Sequence, residues 1–350
     1  MLGRRVRAPR QGDCYGWGQM NRLPSSSARA AKLLLLLATA CLPGVALGQN
    51  GPLQQGISLF ESRRYSEARV RLSPLAARAG GNATAAQYLG RIALLARDLD
   101  AAEKYLTLAV KLQPNVSRHR LWLGRVYGQQ ALRTGKLKGF SLAKRSRAEL
   151  ETAVRLDPND VEARSELAYF YAMAPRIVGG NKSKARDEAE AIAARNPYRG
   201  LLTHGFLHER DKRYGDAANE YRAAMRLFPD SSAPHYLLGL MYQNRQMLDS
   251  ARSVFEHAMS KFPAERAPYY YVARVNVMSN ERLDRAEELL KRYLSLSIDE
   301  SDPPYASAHF RLGQICERTG RPDMARHHFE EALKLDPTRG EYRQALASLQ

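Results

Sequence analysis

The chain has 350 residues, 44% of them hydrophobic and 26% charged, with a formal net charge of +18 at pH 7. That balance excludes a disordered main body and allows one sizeable all-helical fold, with few aromatics beyond tyrosine. The basic excess directs attention to anionic partners.

The most apolar segment comes first. Residues 30–48, AAKLLLLLATACLPGVALG, follow Arg22, Arg29 and Lys32 and end on the small-x-small run Ala46-Leu47-Gly48. The run from Leu33 to Leu42 is too short to span a bilayer, and Pro43 breaks it. This predicts a secretory signal peptide over 1–48, with the mature chain starting at Gln49. Counted from Met20 the signal has ordinary length, so residues 1–19 read as a mis-set start. A rival reading is lipidation of Cys41 in LATAC, giving an outer-membrane lipoprotein, although Ala38 stands where leucine is usual. Loss of 1–48 removes seven Lys/Arg and one acid, leaving 47 basic against 35 acidic residues and a net of +12. Cys316 then remains alone, so the mature chain can form no internal disulfide.

Beyond residue 50 the sequence repeats. A small residue marks a first helix at Gly56, Gly90, Gly124, Ala168, Gly205, Gly239, Ala273 and Gly313, with successive gaps of 34, 34, 44, 37, 34, 34 and 40 residues. The matching second helices carry Ala68, Ala102, Ser146, Ala185, Ala217, Ala251, Ala286 and Ala325. Four positions later stand Leu72, Leu106, Leu150, Tyr221, Phe255, Leu290 and Phe329, with small Ala189 as the exception. Prolines close six copies, at Pro114, Pro158, Pro197, Pro229, Pro263 and Pro337, and a proline pushes the residue before it out of helical geometry. The small residue lets paired helices approach, the large one fills the gap beside it, and each pair buries its other face on the next.

This pattern resembles the tetratricopeptide repeat. Residues 232–263 match it with Leu238, Gly239, Tyr242, Ala251, Phe255, Ala258 and Pro263. The resemblance covers roughly residues 50 to 338 and implies an all-α, right-handed α-solenoid of about eight helix hairpins. The repeats run over 49–82, 83–116, 117–160, 161–197, 198–231, 232–265, 266–305 and 306–338. Residues 339–350 then form a capping helix through Tyr342, Leu346 and Leu349. The first, fourth and seventh copies depart most from the pattern.

Two copies carry extra chain. The third has about ten more residues, and its stretch 131–147 holds Arg133, Lys136, Lys138, Lys144, Arg145 and Arg147, with no acid before Glu149. Such a run is either a solvated face or an anion-facing protrusion. The fourth contains Gly179-Gly180-Asn181-Lys182-Ser183, which lacks the glycine before lysine and the preceding strand of a phosphate loop, so it reads as a structural turn.

Candidate chemistry is sparse. His204 and His208 have a metal-compatible i,i+4 spacing but fall in core slots with no assignable third ligand, so no metal or cofactor is expected. Cys316 falls in a core slot, and His327-His328 reads as solvent-facing. No nucleophile, paired carboxylates or Cys/His cluster points to an enzyme. The most suggestive feature recurs with the fold: Arg91, Arg125 and Arg274 each follow the small residue directly. The resemblance implies that this position lines a concave groove, where arginine can pair bidentately with carboxylates. Arginine outnumbers lysine 42 to 12, so composition alone also favours the recurrence.

The expected function is therefore an exported, periplasmic scaffold that holds protein segments in an arginine-bearing groove, in envelope assembly or maintenance. The alternative is a binder of anionic envelope polymer or membrane surface through the insert at 131–147. Nucleic acid is not expected for an exported chain, and the sequence leaves the oligomeric state open.

Overall fold

The computed structural model describes residues 51–296 and 302–349. The expected signal peptide and cleavage site, Cys41 and the question of the start therefore lie outside the described residues. Within them the chain forms two compact units that divide between Arg210 and Asp211.

The first unit contains α1 (Pro52–Glu61), α2 (Tyr65–Ala77), α3 (Ala83–Leu95), α4 (Leu99–Leu112), α5 (Ser117–Arg133), α6 (Lys136–Leu156), α7 (Val161–Met173), α8 (Lys182–Ala193) and α9 (Pro197–Arg210). The second contains α10 (Tyr214–Leu227), α11 (Ala233–Asn244), α12 (Leu248–Lys261), α13 (Ala267–Ser279), α14 (Leu283–Ser295), α15 (Tyr305–Arg318), α16 (Pro322–Leu335) and α17 (Gly340–Ala347). No strand occurs among the described residues. Consecutive helices pack in antiparallel-type hairpins, α1 with α2 through α7 with α8, and α11 with α12 through α15 with α16. This is the all-α stack of hairpins that the repeat pattern requires.

The small residues act as spaced. A Cβ placed on Gly90 would lie 2.5 Å from Leu106, and one on Gly56 the same distance from Leu72. On Gly239 and Gly313 it would lie 2.4 Å from the rings of Phe255 and Phe329. Those are contacts no real side chain tolerates, so backbone and bulky partner interlock at interior density. The paired alanines Ala68, Ala102, Ala217, Ala251, Ala286 and Ala325 are all 0% exposed. Ser146 replaces alanine without leaving a buried hydroxyl unmet: its Oγ donates to the Gly124 carbonyl at 2.8 Å.

Five hairpins turn by the same device. A residue one or two positions after the first helix takes left-handed geometry, at Arg63, Arg97, Gln246, Asn280 and Gly320. The next amide then reaches back five residues: Arg64 to Leu59, Asp98 to Ala93, Met247 to Tyr242, Glu281 to Asn276 and Arg321 to Cys316, at 2.8–3.0 Å. This satisfies carbonyls that a helix end would otherwise orphan. Glycine occupies the left-handed position only in the last of them.

The third and fourth hairpins differ. The insert of the third lengthens both helices, since α5 has 17 residues and α6 has 21. In the fourth, a 3-10 turn at Arg176–Val178 leads to Gly179 at φ 104°. A Cβ on Gly180 would stand 1.8 Å from the Ala174 carbonyl, and Asn181 accepts from the Lys184 amide as the cap of α8. The Gly-Gly pair is thus demanded by a tight turn. At the C-terminal end, Tyr342 of α17 is 2% exposed and lies 4.9 Å from the Phe310 ring, with Leu346 and Leu349 against the same core.

Candidate functional site

The helices that open the hairpins of the first unit, α1, α3, α5, α7 and α9, each touch the next in that series. Side chains near the small residue of one therefore meet those of its neighbour. Phe60 comes from α1, Tyr88 and Arg91 from α3, and Arg118, Trp122 and Arg125 from α5. Glu162, Glu166 and Tyr169 come from α7, and Arg199 and Phe206 from α9.

Arg125 is fully engaged within the chain. It reaches Glu162 at 2.8 Å and Glu166 at 2.7 Å, and its guanidinium carbon sits 4.3 Å from the centre of the Trp122 ring. Burial alone would lower its pKa, but Glu166 and Glu162 outweigh burial and raise it. Burial likewise opposes the charge of Glu162, yet Arg125, with Arg118 at 3.3 Å, holds that carboxyl below its ordinary range. Tyr169 and Phe206 stack alongside at 5.5 Å.

Arg91 is treated differently. Its guanidinium carbon lies 4.3 Å from the centre of Phe60, 4.8 Å from Tyr88 and 4.7 Å from Trp122. Its Nε is buried without a hydrogen bond, and among the described residues it makes no ion pair. Burial lowers its pKa, although an arginine stays charged. A cation held between three rings and stripped of much of its water, with Glu162 acting on it only from beyond ion-pair distance, has the chemistry to take a further carboxylate. With it three more arginines, Arg118, Arg125 and Arg199, gather about two glutamates, Glu162 and Glu166. Burial also lowers the Arg199 pKa, and Glu162 and Glu166 partly restore it.

Arg274 belongs to the second unit, on α13. Its Nε is buried without a hydrogen bond, and it forms no ion pair among the described residues. The three arginines are thus not equivalent: Arg125 forms close ion pairs, while Arg91 and Arg274 form none among the described residues.

The basic insert is divided too. Arg145 folds over the Tyr127 ring at 3.9 Å, hydrogen-bonds its hydroxyl and approaches Glu103 at 3.5 Å. Arg147 approaches Glu151 at 3.7 Å, and Arg133 leans on the Arg97 carbonyl. Lys136, Lys138 and Lys144 remain exposed.

Elsewhere, His204 lies 3.7 Å from Glu190, and Cys316 is buried with its thiol pKa pushed up by burial. Among the described residues no three His, Cys, Asp or Glu side chains are placed to hold a metal ion. His328 is half-buried rather than solvent-facing, because its Nδ1 meets Nδ1 of His309 at 3.2 Å across the α15–α16 hairpin. Sequence reasoning missed the ring cage and the carboxylates on α7. A signal for the cage was present: an aromatic stands three residues before each of the three arginines, at Tyr88, Trp122 and Tyr271.

Comparison with known proteins agrees with this architecture. Family models described as Tetratricopeptide repeat match residues 53–117 and 306–339. The crystal structure of yeast Tom70 aligns with a TM-score of 0.70 at 15% identity, covering 97% of this chain and 68% of that one. A human IFIT1 dimer with PPP-AAAA aligns at 0.52 and 18% identity, covering 85% and 72%. A tetratricopeptide repeat protein from Parabacteroides merdae aligns at 0.49 and 16%, covering 74% and 95%. For the first two, at such identities, the likeness is one of fold. No curated protein matches the chain in sequence. With repeat models matching near both of its ends and the same hairpin recurring between them, the chain belongs to the tetratricopeptide-repeat superfamily.

Proposed function

We propose that the chain is an exported interaction scaffold, working in envelope assembly or maintenance, that holds an extended acidic segment of a partner protein against the opening helices of its first unit. Tetratricopeptide repeats serve generally as non-catalytic scaffolds for protein interaction, and the finer assignment rests on one observation. Arg91 is caged by Phe60, Tyr88 and Trp122 and lacks a paired counter-charge, since Glu162 acts on it only from beyond ion-pair distance. A partner carboxylate supplies that charge, while the rings accept the apolar flank of the same segment. Arg125 shapes the surface with Glu162 and Glu166, and Arg274 offers a comparable unpaired cation in the second unit.

The test compares a fluorescent glutamate-rich peptide with its glutamine counterpart by anisotropy. The acidic peptide should bind, the glutamine peptide should not, and Arg91→Ala should weaken binding by about tenfold, the worth of a charge-assisted hydrogen bond. Equal binding of the two peptides, or an unchanged affinity in Arg91→Ala, would reject the assignment. Recovery of the same envelope proteins by the parent and Arg91→Ala chains would count against it as well.

A further inference from the structure

We propose that the tip of the α5–α6 hairpin is a docking element for an anionic lipid bilayer. Arg133, Lys136 and Lys138 would meet the headgroups there, while Leu132 and Leu137 enter the apolar boundary beneath them. This surface is separate from the Arg91 cage and stands or falls independently of it.

The hairpin is built to project. Past its glycine, α5 continues nine residues to Arg133, where α3 continues five from Gly90 to Leu95. On the other arm α6 begins ten residues before Ser146, where α4 begins three before Ala102. Four and seven extra helical residues carry the tip roughly 6–10 Å beyond its neighbour, at 1.5 Å per residue.

What sits at that tip does not serve the fold. Leu132 is 76% exposed and Leu137 is 88% exposed, five residues apart across the Thr134-Gly135 turn. No two other large exposed apolar side chains among the described residues lie within ten residues of one another. Turns normally take Gly, Pro, Asn, Asp or Ser, and single exposed leucines are ordinary, but a pair concentrated on one projecting end marks a contact surface. Lys136 and Lys138 occupy the first turn of α6, which has no acid. Cations there oppose the helix dipole, so they cost stability rather than add it. Arg145 and Arg147 turn onto Tyr127 and Glu151, so the basic charge left to a partner is gathered toward the end of the hairpin, next to the leucines.

The leucines decide what kind of anion fits. A soluble polyanion neutralises Arg133, Lys136 and Lys138 but leaves both leucines in water. An anionic bilayer takes both, since interfacial elements gain from apolar area and from basic residues together.

The test places a reporter at the tip. In Leu137→Trp, emission in excess of the parent chain is followed while vesicles of 3:1 phosphatidylcholine to phosphatidylglycerol are added. A blue shift is expected with these vesicles, and none with pure phosphatidylcholine or with dextran sulfate. In sedimentation with the anionic vesicles, K136E/K138E should bind at least about twenty-fold more weakly, given about fivefold per base. L132S/L137S should bind at least about tenfold more weakly with an unchanged helical spectrum. No shift with the anionic vesicles overturns the proposal. So does sedimentation of L132S/L137S equal to the parent, while dextran sulfate binding that K136E/K138E abolishes, with no vesicle shift, would assign the tip to a soluble polymer.

Discussion

Replacing Gly239 by alanine tests the interlocking found at Gly56, Gly90, Gly124, Gly239 and Gly313. The added Cβ would lie 2.4–2.8 Å from three ring atoms of Phe255, which is itself 0% exposed and has no free space to enter. Relief needs a ring shift of order 1 Å, and forced overpacking of this kind costs about 1–3 kcal/mol. Alanine returns about 1 kcal/mol of helix propensity, so the net expectation is a loss of about 0–2 kcal/mol. Phe255→Leu alone should also cost about 1–2 kcal/mol, because it leaves a gap beside the glycine. The double variant should be better than the sum of the two by about 1–2 kcal/mol. Its alanine–leucine pairing already exists at Ala273 and Leu290, both 0% exposed in the same core. Urea denaturation of the four chains, followed by circular dichroism, measures the cycle. Additivity within about 0.5 kcal/mol would refute the close-approach argument.

Arg125→Ala should lower stability by about 2–3 kcal/mol, because Glu162 and Glu166 lose their shared partner in a half-buried setting. Arg91→Ala, which strands no carboxylate, should shift the urea midpoint far less. Gln246→Gly should stabilise the chain by about 0.5–1 kcal/mol by relieving left-handed strain at φ 60°, with the gain read as a higher midpoint. Acidification should weaken the second unit through His235, whose pKa burial, together with His257 and Lys261, pushes down to about 4. The folded state then binds fewer protons than the unfolded one, so stability is intact above about pH 6.5 and is lost as pH falls toward 4. Full loss for this fully buried ring is about 3 kcal/mol, and urea midpoints at pH 7.5 and 4.5 should differ less in His235→Phe than in the parent.

Most of the fold was legible because a steric rule writes itself into sequence at fixed spacing. Gly90 with Leu106, or Gly313 with Phe329, leaves the same mark in each copy. The turns were less legible, since Arg63, Arg97 and Gln246 adopt a conformation that residue type advertises only at Gly320. The insert read as either a solvated face or an anion-facing protrusion, because charge alone does not say whether a basic stretch lengthens helices or loops out. Its division into inward Arg145 and Arg147 and outward Lys136 and Lys138 depends on Tyr127 and Glu151, which tertiary packing brings near. The same limit governed the arginines. Arg125 and Arg91 occupy matching positions, but only one has Glu162 and Glu166 on the next opening helix.

The unequal sizes of the interlocking pairs carry a consequence for assembly. A chain made of near-copies risks threading a helix beside the wrong partner. Here a glycine is matched to leucine in the early hairpins, a glycine to phenylalanine around Gly239 and Gly313, and an alanine to leucine at Ala273. Setting Ala273 against the slot meant for Phe255 would leave no room for the ring, whereas seating Leu290 opposite Gly239 would leave a hollow. Where the pair types differ, the fittings thus behave as keys of different cut, and those hairpins are told apart by shape.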